Sequence, residues 1–265
     1  MNDRYPNFDL LRLLLAVEVV VAHGWYLSSE QYSWYGFIMA VPAFFAISGF
    51  LVLKSCEQSG SCFTFFRKRL LRLVPPVFMA MLLCWALFDG VAVYSSFIYW
   101  VSGGHLVPSG MVNPPAWTVA WAMLAYLCMA LLWMAGAYKR PIIIGLLLVL
   151  SLIVVHQSRH LPTQTQIILF ILPSFLIGNL AYLHRARLLK VHPILPWVLL
   201  LAVIFNHKIP YFSQLVNLSQ VSFQTFAVVW VGMAGLRVLP FRLPDISYGL
   251  YLYHWPIAVY LDGLN

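Results

Sequence analysis

Long apolar runs separated by short polar punctuation set the pattern of this chain from end to end. Nine such segments cover about residues 8–27, 35–53, 73–101, 115–138, 141–157, 164–183, 193–207, 218–238 and 246–262. Most approach the ~20 residues a helix needs to cross a bilayer. The pattern predicts an all-α, polytopic transmembrane helical bundle of about nine spans, a single domain over residues 1–265. The third segment is long enough to contain a break, and the seventh is short for a full crossing. Pro75-Pro76 are expected in the first turn of the third span, where a missing N–H costs least. Residues 102–117 read as a turn-rich loop, with Pro114-Pro115 leading into the fourth helix. Trp25, Trp34, Tyr35, Trp100 and Trp117 fall near predicted helix ends, as interfacial aromatics do.

Composition excludes a soluble domain. Apolar residues make up 62% of the chain, charged residues 9%, and mean hydropathy is +0.83, values no soluble domain of this length sustains. A cleavable signal peptide is not expected, because Asp9 and Arg12 lie inside the first apolar run. Cys56, Cys62, Cys84 and Cys128 show no metal-ligand spacing, so no metal site is expected. Cys56 and Cys62 are expected in a basic cytoplasmic loop and read as reduced thiols.

The formal charge of +8 matters through its placement. Arg4, Lys54, Arg67, Lys68, Arg69, Arg72, Lys139, Arg140, Arg185, Arg187, Lys190, Arg237 and Arg242 occupy the amino-terminal arm and one alternating set of linkers. The opposite set holds only Arg159 and Lys208. The positive-inside rule then puts the amino terminus in the cytoplasm and, with nine spans, the carboxy terminus outside. Such a distribution gives no reason to expect a nucleic-acid partner.

Candidate chemistry concentrates in FDLLRLLLAVEVVVAHGW, residues 8–25, which carries Asp9, Arg12, Glu18 and His23. Ionisable groups inside a span are costly and mark functional sites by default. Arg12 and His23 lie eleven residues apart, so they share a helix face about 16 Å apart along the axis. One end holds a fixed cation and the other a group that exchanges a proton near neutral pH. Asp9 is placed to orient Arg12. Glu18 sits off that face and is expected to pair elsewhere. The plainer reading of His23 is an interfacial histidine that shares water with its aromatic neighbours.

A second feature is SCFTFFRKRLLRLVPP, residues 61–76, read as an inner loop with four cations in six positions. Arg67 and Lys68 also suit a lipid anchor, worth ~1 kcal/mol per cation. Arg69 and Arg72 are three apart, so on a helix they could fork onto one phosphorylated ligand. With Arg12 at the same depth, three arginines suit a polyphosphate headgroup.

These stretches resemble acyltransferase family 3, integral membrane acyltransferases that decorate cell-surface glycans and related acceptors. The likeness rests on four ordered motifs: Asp9 with Arg12 and His23; FFAISGFLV at 44–52; FRKRLLRLVPP with Arg69 and Arg72; and ISYGLYLYHWPI at 246–257, with Ser247, Tyr248, Tyr251 and His254. The resemblance implies an acyl-CoA donor, usually acetyl-CoA, on the cytoplasmic side, with its phosphates on Arg12, Arg69 and Arg72. It further implies His23 as catalytic base, or as transient acyl carrier. Trp117, Tyr126, Tyr251 and His254 are the expected acceptor-side residues, with His254 equally readable as a packed, hydrogen-bonded histidine. The acceptor is then an extracytoplasmic glycan or glycolipid, in the bacterial cytoplasmic (inner) membrane, with lipid and a second copy of the chain as further partners.

Two departures stand out. The family pattern in the fourth span places Glu five residues after Trp, where this chain has Ala122, although Trp117, Thr118, Val119 and Tyr126 match. A carboxylate there is expected to orient the imidazole of His23, the third-group role of catalytic triads; without it the chain could be an inactive variant. The family also runs to ten spans, one more than expected here, so the domain reads as lacking the last helix. The competing reading is a non-catalytic binding protein, or a transporter, for an amphiphilic organic anion.

Overall fold

The computed structural model describes residues 5–29, 39–106, 108–161, 163–205, 214–234 and 246–263. Among these residues the regular structure is all helix, with no strand. The helices are α1 (Pro6–Ser29), α2 (Ala40–Ser59), α3 (Cys62–Leu87), α4 (Gly90–Val101), α5 (Thr118–Met134), α6 (Pro141–Gln157), α7 (Thr163–Leu183), α8 (Arg185–Leu188), α9 (Ile194–Phe205), α10 (Gln214–Ala234) and α11 (Ser247–Asp262). Three are long and apolar enough to cross a membrane: Ala40–Ser59, Cys62–Leu87 and the Pro114–Met134 unit that joins a 3-10 turn to α5. The apolar helices α4 and α9 have 12 residues each and rise about 18 Å, less than a ~30 Å hydrocarbon core. Trp34 and Tyr35 lie outside the described residues.

The third apolar segment is where expectation and structure part. The basic stretch is helix rather than loop: Ser61 caps α3, its Oγ accepting from the Thr64 backbone N–H at 3.2 Å. Pro75 and Pro76 therefore sit in the helix interior, thirteen residues beyond Cys62, and not in a first turn. Their missing N–H groups leave the carbonyls of Leu71 and Arg72 without i+4 donors. Neighbouring hydroxyls tie down the same region: Tyr248 donates to Leu73 O at 3.3 Å and Tyr253 to Pro76 O at 3.2 Å. Spanning helices tolerate internal proline when adjacent helices supply such partners. The expected break comes at Asp89, whose carboxylate caps α4 by accepting from Ala92 N at 2.8 Å.

Close helix contact, with polar clamps, holds the bundle. Helices α2 and α7 meet backbone to backbone, and a side chain at Gly49 would strike Phe175 O while one at Gly178 would strike Ala46 O. Small residues at such crossings are the usual means of bringing membrane helices together. Asn179, fully buried beside them, donates to Gly49 O at 3.0 Å and Phe175 O at 3.1 Å and accepts from Tyr138. Gln224 of α10 grips both backbone groups of Met39, at 2.9 Å each. Helix α1 packs against α2, α10 and α11. The outward face of α3 exposes Leu71, Val74, Phe78 and Trp85, a surface suited to lipid. Cys56, expected in a loop, is buried in α2, and Cys62 is the first residue of α3.

Candidate active site

Five helices line a cavity of about 110 Å³. Helix α2 lines it with Val41, Phe44, Phe45, Ser48, Leu51 and Val52, positions that recur every three or four residues along one face. Helix α1 contributes Arg12. Helix α3 contributes Arg69, Arg72 and Leu73; α5 contributes Thr118, Val119, Ala122 and Tyr126; α11 contributes Ser247, Tyr248 and Tyr251. The three arginines singled out in the sequence thus reach one space from two helices. So do parts of all four motifs.

Charge is the notable property of this lining. Three guanidinium groups on one cavity make it favourable to an anion. Arg69 makes the point most directly. Its Nε is buried with no hydrogen-bond partner among the described residues, and its guanidinium lies 5.7 Å from the Phe65 ring centroid. Leaving a buried charged donor unsatisfied is expensive. Arg72 is exposed at its edge of the cavity, as are Arg67 and Lys68 beyond it, and Lys68 reaches Ser59 Oγ at 3.4 Å.

The wall formed by α5 and α11 is fixed by hydrogen bonds. The Tyr251 hydroxyl, buried on the cavity, lies 2.5 Å from Pro115 O and 2.9 Å from Thr118 Oγ1. A carbonyl only accepts, so the phenol donates to Pro115 and Thr118 donates to the phenol. Asn113 donates to Leu252 O at 3.0 Å and anchors the next residue of α11. Trp117 packs into the cores on either side without lining the cavity.

His23 and His254 stand together outside the cavity lining. His23 Nδ1 lies 2.8 Å from His254 Nε2, the ring planes are 12° from parallel, and Trp255 meets the His23 ring edge-on at 5.0 Å between centroids. His254 Nδ1 in turn faces the carbonyls of Tyr251 and Leu250, at 2.8 and 3.2 Å. Tyr251 therefore connects the two parts: its hydroxyl is on the cavity and its carbonyl holds His254. The expected orienting group for His23 was a carboxylate at position 122. Ala122 instead lines the arginine cavity, and a histidine from α11 occupies the Nδ1 side of His23. Asp9 is exposed in the first turn of α1. The pairing of His23 with His254 was not foreseen, since the two lie 231 positions apart. The one available signal was that both histidines belong to motifs of the same family pattern.

A sequence profile described as an acyltransferase domain matches residues 5–264. The chain belongs to acyltransferase family 3. Its relatives fit that assignment. It is 28% identical to an O-acetyl transferase of Shigella phage Sf6, over 94% of this chain and 84% of that protein. It is 41% identical to nodulation protein 10 of Rhizobium leguminosarum bv. viciae over 81 residues, 28% of this chain and 22% of that protein. The chain therefore aligns with about a fifth of the nodulation protein and most of the phage transferase. No solved structure matches it significantly.

Proposed function

We propose that this acyltransferase moves an acetyl group from cytoplasmic acetyl-CoA to a hydroxyl of a glycan or glycolipid on the far side of the bacterial inner membrane. The observation that carries the reading is the meeting of Arg12, Arg69 and Arg72 on one cavity, with a buried Arg69 Nε left unsatisfied there. Coenzyme A brings a pyrophosphate and a 3′-phosphate to such a cluster, and arginine suits phosphate through its forked donors. The alternation of cations supports nine spans with the arginine end in the cytoplasm. The pantetheine arm is long, thin and largely uncharged. It would follow α1 from Arg12 toward His23, an axial step of about 16 Å. There His23 Nε2 takes the proton of the acceptor hydroxyl as its oxygen attacks the thioester carbonyl. The C–S bond breaks, the proton passes to the leaving thiolate, and an ester and free CoA result.

The relationship to an O-acetyl transferase of a Shigella phage supports acetyl as the group and oxygen as the acceptor atom. A second reading has its own observation. Ala122 lines the cavity at the position where the family pattern places a carboxylate, so a chain that binds CoA without turnover is the alternative. Membranes carrying the protein, supplied with acetyl-labelled acetyl-CoA and a surface-glycan extract, distinguish the two. Label should appear in the glycan as an alkali-labile ester. CoA binding with no labelled product would favour the binding protein, and uptake of the anion without product a transporter.

A further inference from the structure

We infer that His254 is the positioning residue for His23, and that the two rings form a one-way hydrogen-bond chain. Nδ1–H of His254 donates to the Tyr251 carbonyl, Nδ1–H of His23 donates to Nε2 of His254, and Nε2 of His23 is left as the atom that gains and loses the proton. The inference rests on the proposed acyl transfer for its purpose, while the direction of the chain follows from the geometry with His254 as a neutral ring.

The argument starts at the backbone. His254 Nδ1 lies 2.8 Å from Tyr251 O and 3.2 Å from Leu250 O. Carbonyl oxygens only accept, so Nδ1 of His254 must carry a hydrogen. In the neutral ring Nε2 of His254 is then an acceptor. It lies 2.8 Å from His23 Nδ1, and two ring nitrogens at that distance share one hydrogen. That hydrogen must belong to His23. The same assignment holds when His23 is charged, because imidazolium keeps Nδ1–H and adds a hydrogen at Nε2. The proton that comes and goes therefore does so at Nε2 of His23, and His254 stays neutral throughout.

The arrangement reproduces, with a neutral ring, what an acidic third group does in a triad: it selects the tautomer, aims the ring and receives a charge-assisted bond when the base is protonated. The support for His254 is rigid. Its helix is pinned through the Tyr251 hydroxyl to Pro115 and Thr118, and through Leu252 O to Asn113. The near-parallel ring planes let the hydrogen bond lie in the plane of both rings, and the Trp255 edge holds the His23 ring itself.

The direct test is the tautomer of His23. Solid-state NMR of the ¹⁵N-histidine-labelled protein in lipid, with His23→Ala used to assign the signals, should show His23 in its neutral form protonated at Nδ1. In His254→Ala the ring should revert to the Nε2–H form that free imidazole side chains favour. In His254→Gln, whose amide oxygen can replace Nε2 as acceptor, Nδ1–H should persist. Should His254→Ala fail to fold, the parent spectrum and the glutamine variant still decide. An Nε2–H tautomer in the parent, or an Nδ1–H tautomer unchanged by His254→Ala, overturns the chain. The second readout is kinetic. His254→Ala should lower kcat about 100-fold with little change in the KM for acetyl-CoA, and His254→Gln should restore at least a tenth of it. Loss of CoA affinity together with kcat in both variants would mean that His254 only supports the fold. If the tautomers are as predicted and no acetyl transfer occurs, the proposed reaction fails and the chain of hydrogen bonds stands.

Discussion

At Arg12, α1 faces a cavity that Arg69 and Arg72 share; at His23, about 16 Å along the same helix, it meets a ring nitrogen of α11 at 2.8 Å and an indole edge-on. The first region holds like charges around a space, and its Arg69 Nε has no partner among the described residues. The second has its hydrogen bonds completed from within the chain, down to the backbone carbonyl that starts them. A binding site can be left unfinished, because the ligand supplies the missing half of each interaction. A proton-transfer site cannot wait in that way. Its ring must already be in the right tautomer and orientation when the substrate arrives.

If the ends of α1 divide binding from chemistry, substitutions should divide too. The largest effect belongs to His23→Ala, which should reduce acetyl transfer by about 10³-fold through loss of general base catalysis, measured as initial rate with labelled acetyl-CoA. A reduction under tenfold would leave the histidine end without its assigned role. Next comes Ala122→Glu. Restoring the family's carboxylate to the cavity wall should raise turnover about 100-fold, and the gain should vanish when His23→Ala is added. A folded, CoA-binding Ala122→Glu protein with unchanged turnover would place the acid outside the reaction altogether.

Smaller effects sharpen the arginine end. Arg69→Ala and Arg72→Ala should each raise the KM for acetyl-CoA at least tenfold, corresponding to about 1.4 kcal/mol of lost charge-assisted bonding. Exposed Arg67 serves as the control, and Arg67→Ala should change KM less than threefold. Equal, small changes at all three would reduce the cluster to a lipid anchor. The smallest effect is a labelling pattern. Cys56 is buried, so Cys62, half-exposed at the start of α3, is the informative thiol for orientation. An impermeant maleimide should modify it only in permeabilised cells, with Cys62→Ser as the blank. Modification in intact cells would put the arginine end outside and reverse the proposed donor side.

How much of this could be read from the sequence depends on the range of the interactions involved. The helices are legible because apolar length is a local property, and a break in the third segment because that segment is too long for one crossing. Arg69 and Arg72 share a side of α3 by their spacing alone, and their meeting with Arg12 was legible through common depth. Three things escaped. The helix runs through the basic stretch because Ser61 caps it and because Tyr248 and Tyr253, from the far end of the chain, bond to α3 beside the prolines. Cys56 is buried because α2 lies in the middle of the packing. His23 finds His254 across 231 positions, and no periodicity signals such a pairing. Local pattern puts Arg69 and Arg72 on one side of α3; only the tertiary fold brings His254 to His23.

The most direct test of the division compares CoA binding with acyl transfer in the same preparations. Equilibrium CoA affinity, measured on lipid-nanodisc samples of the parent, Arg69→Ala and His23→Ala proteins, does not depend on turnover and so is readable even if Ala122 limits the rate. The account predicts that His23→Ala binds CoA within about twofold of the parent while Arg69→Ala binds at least tenfold more weakly. Equal losses in both variants, or an Arg69→Ala protein that binds as the parent does, would contradict it.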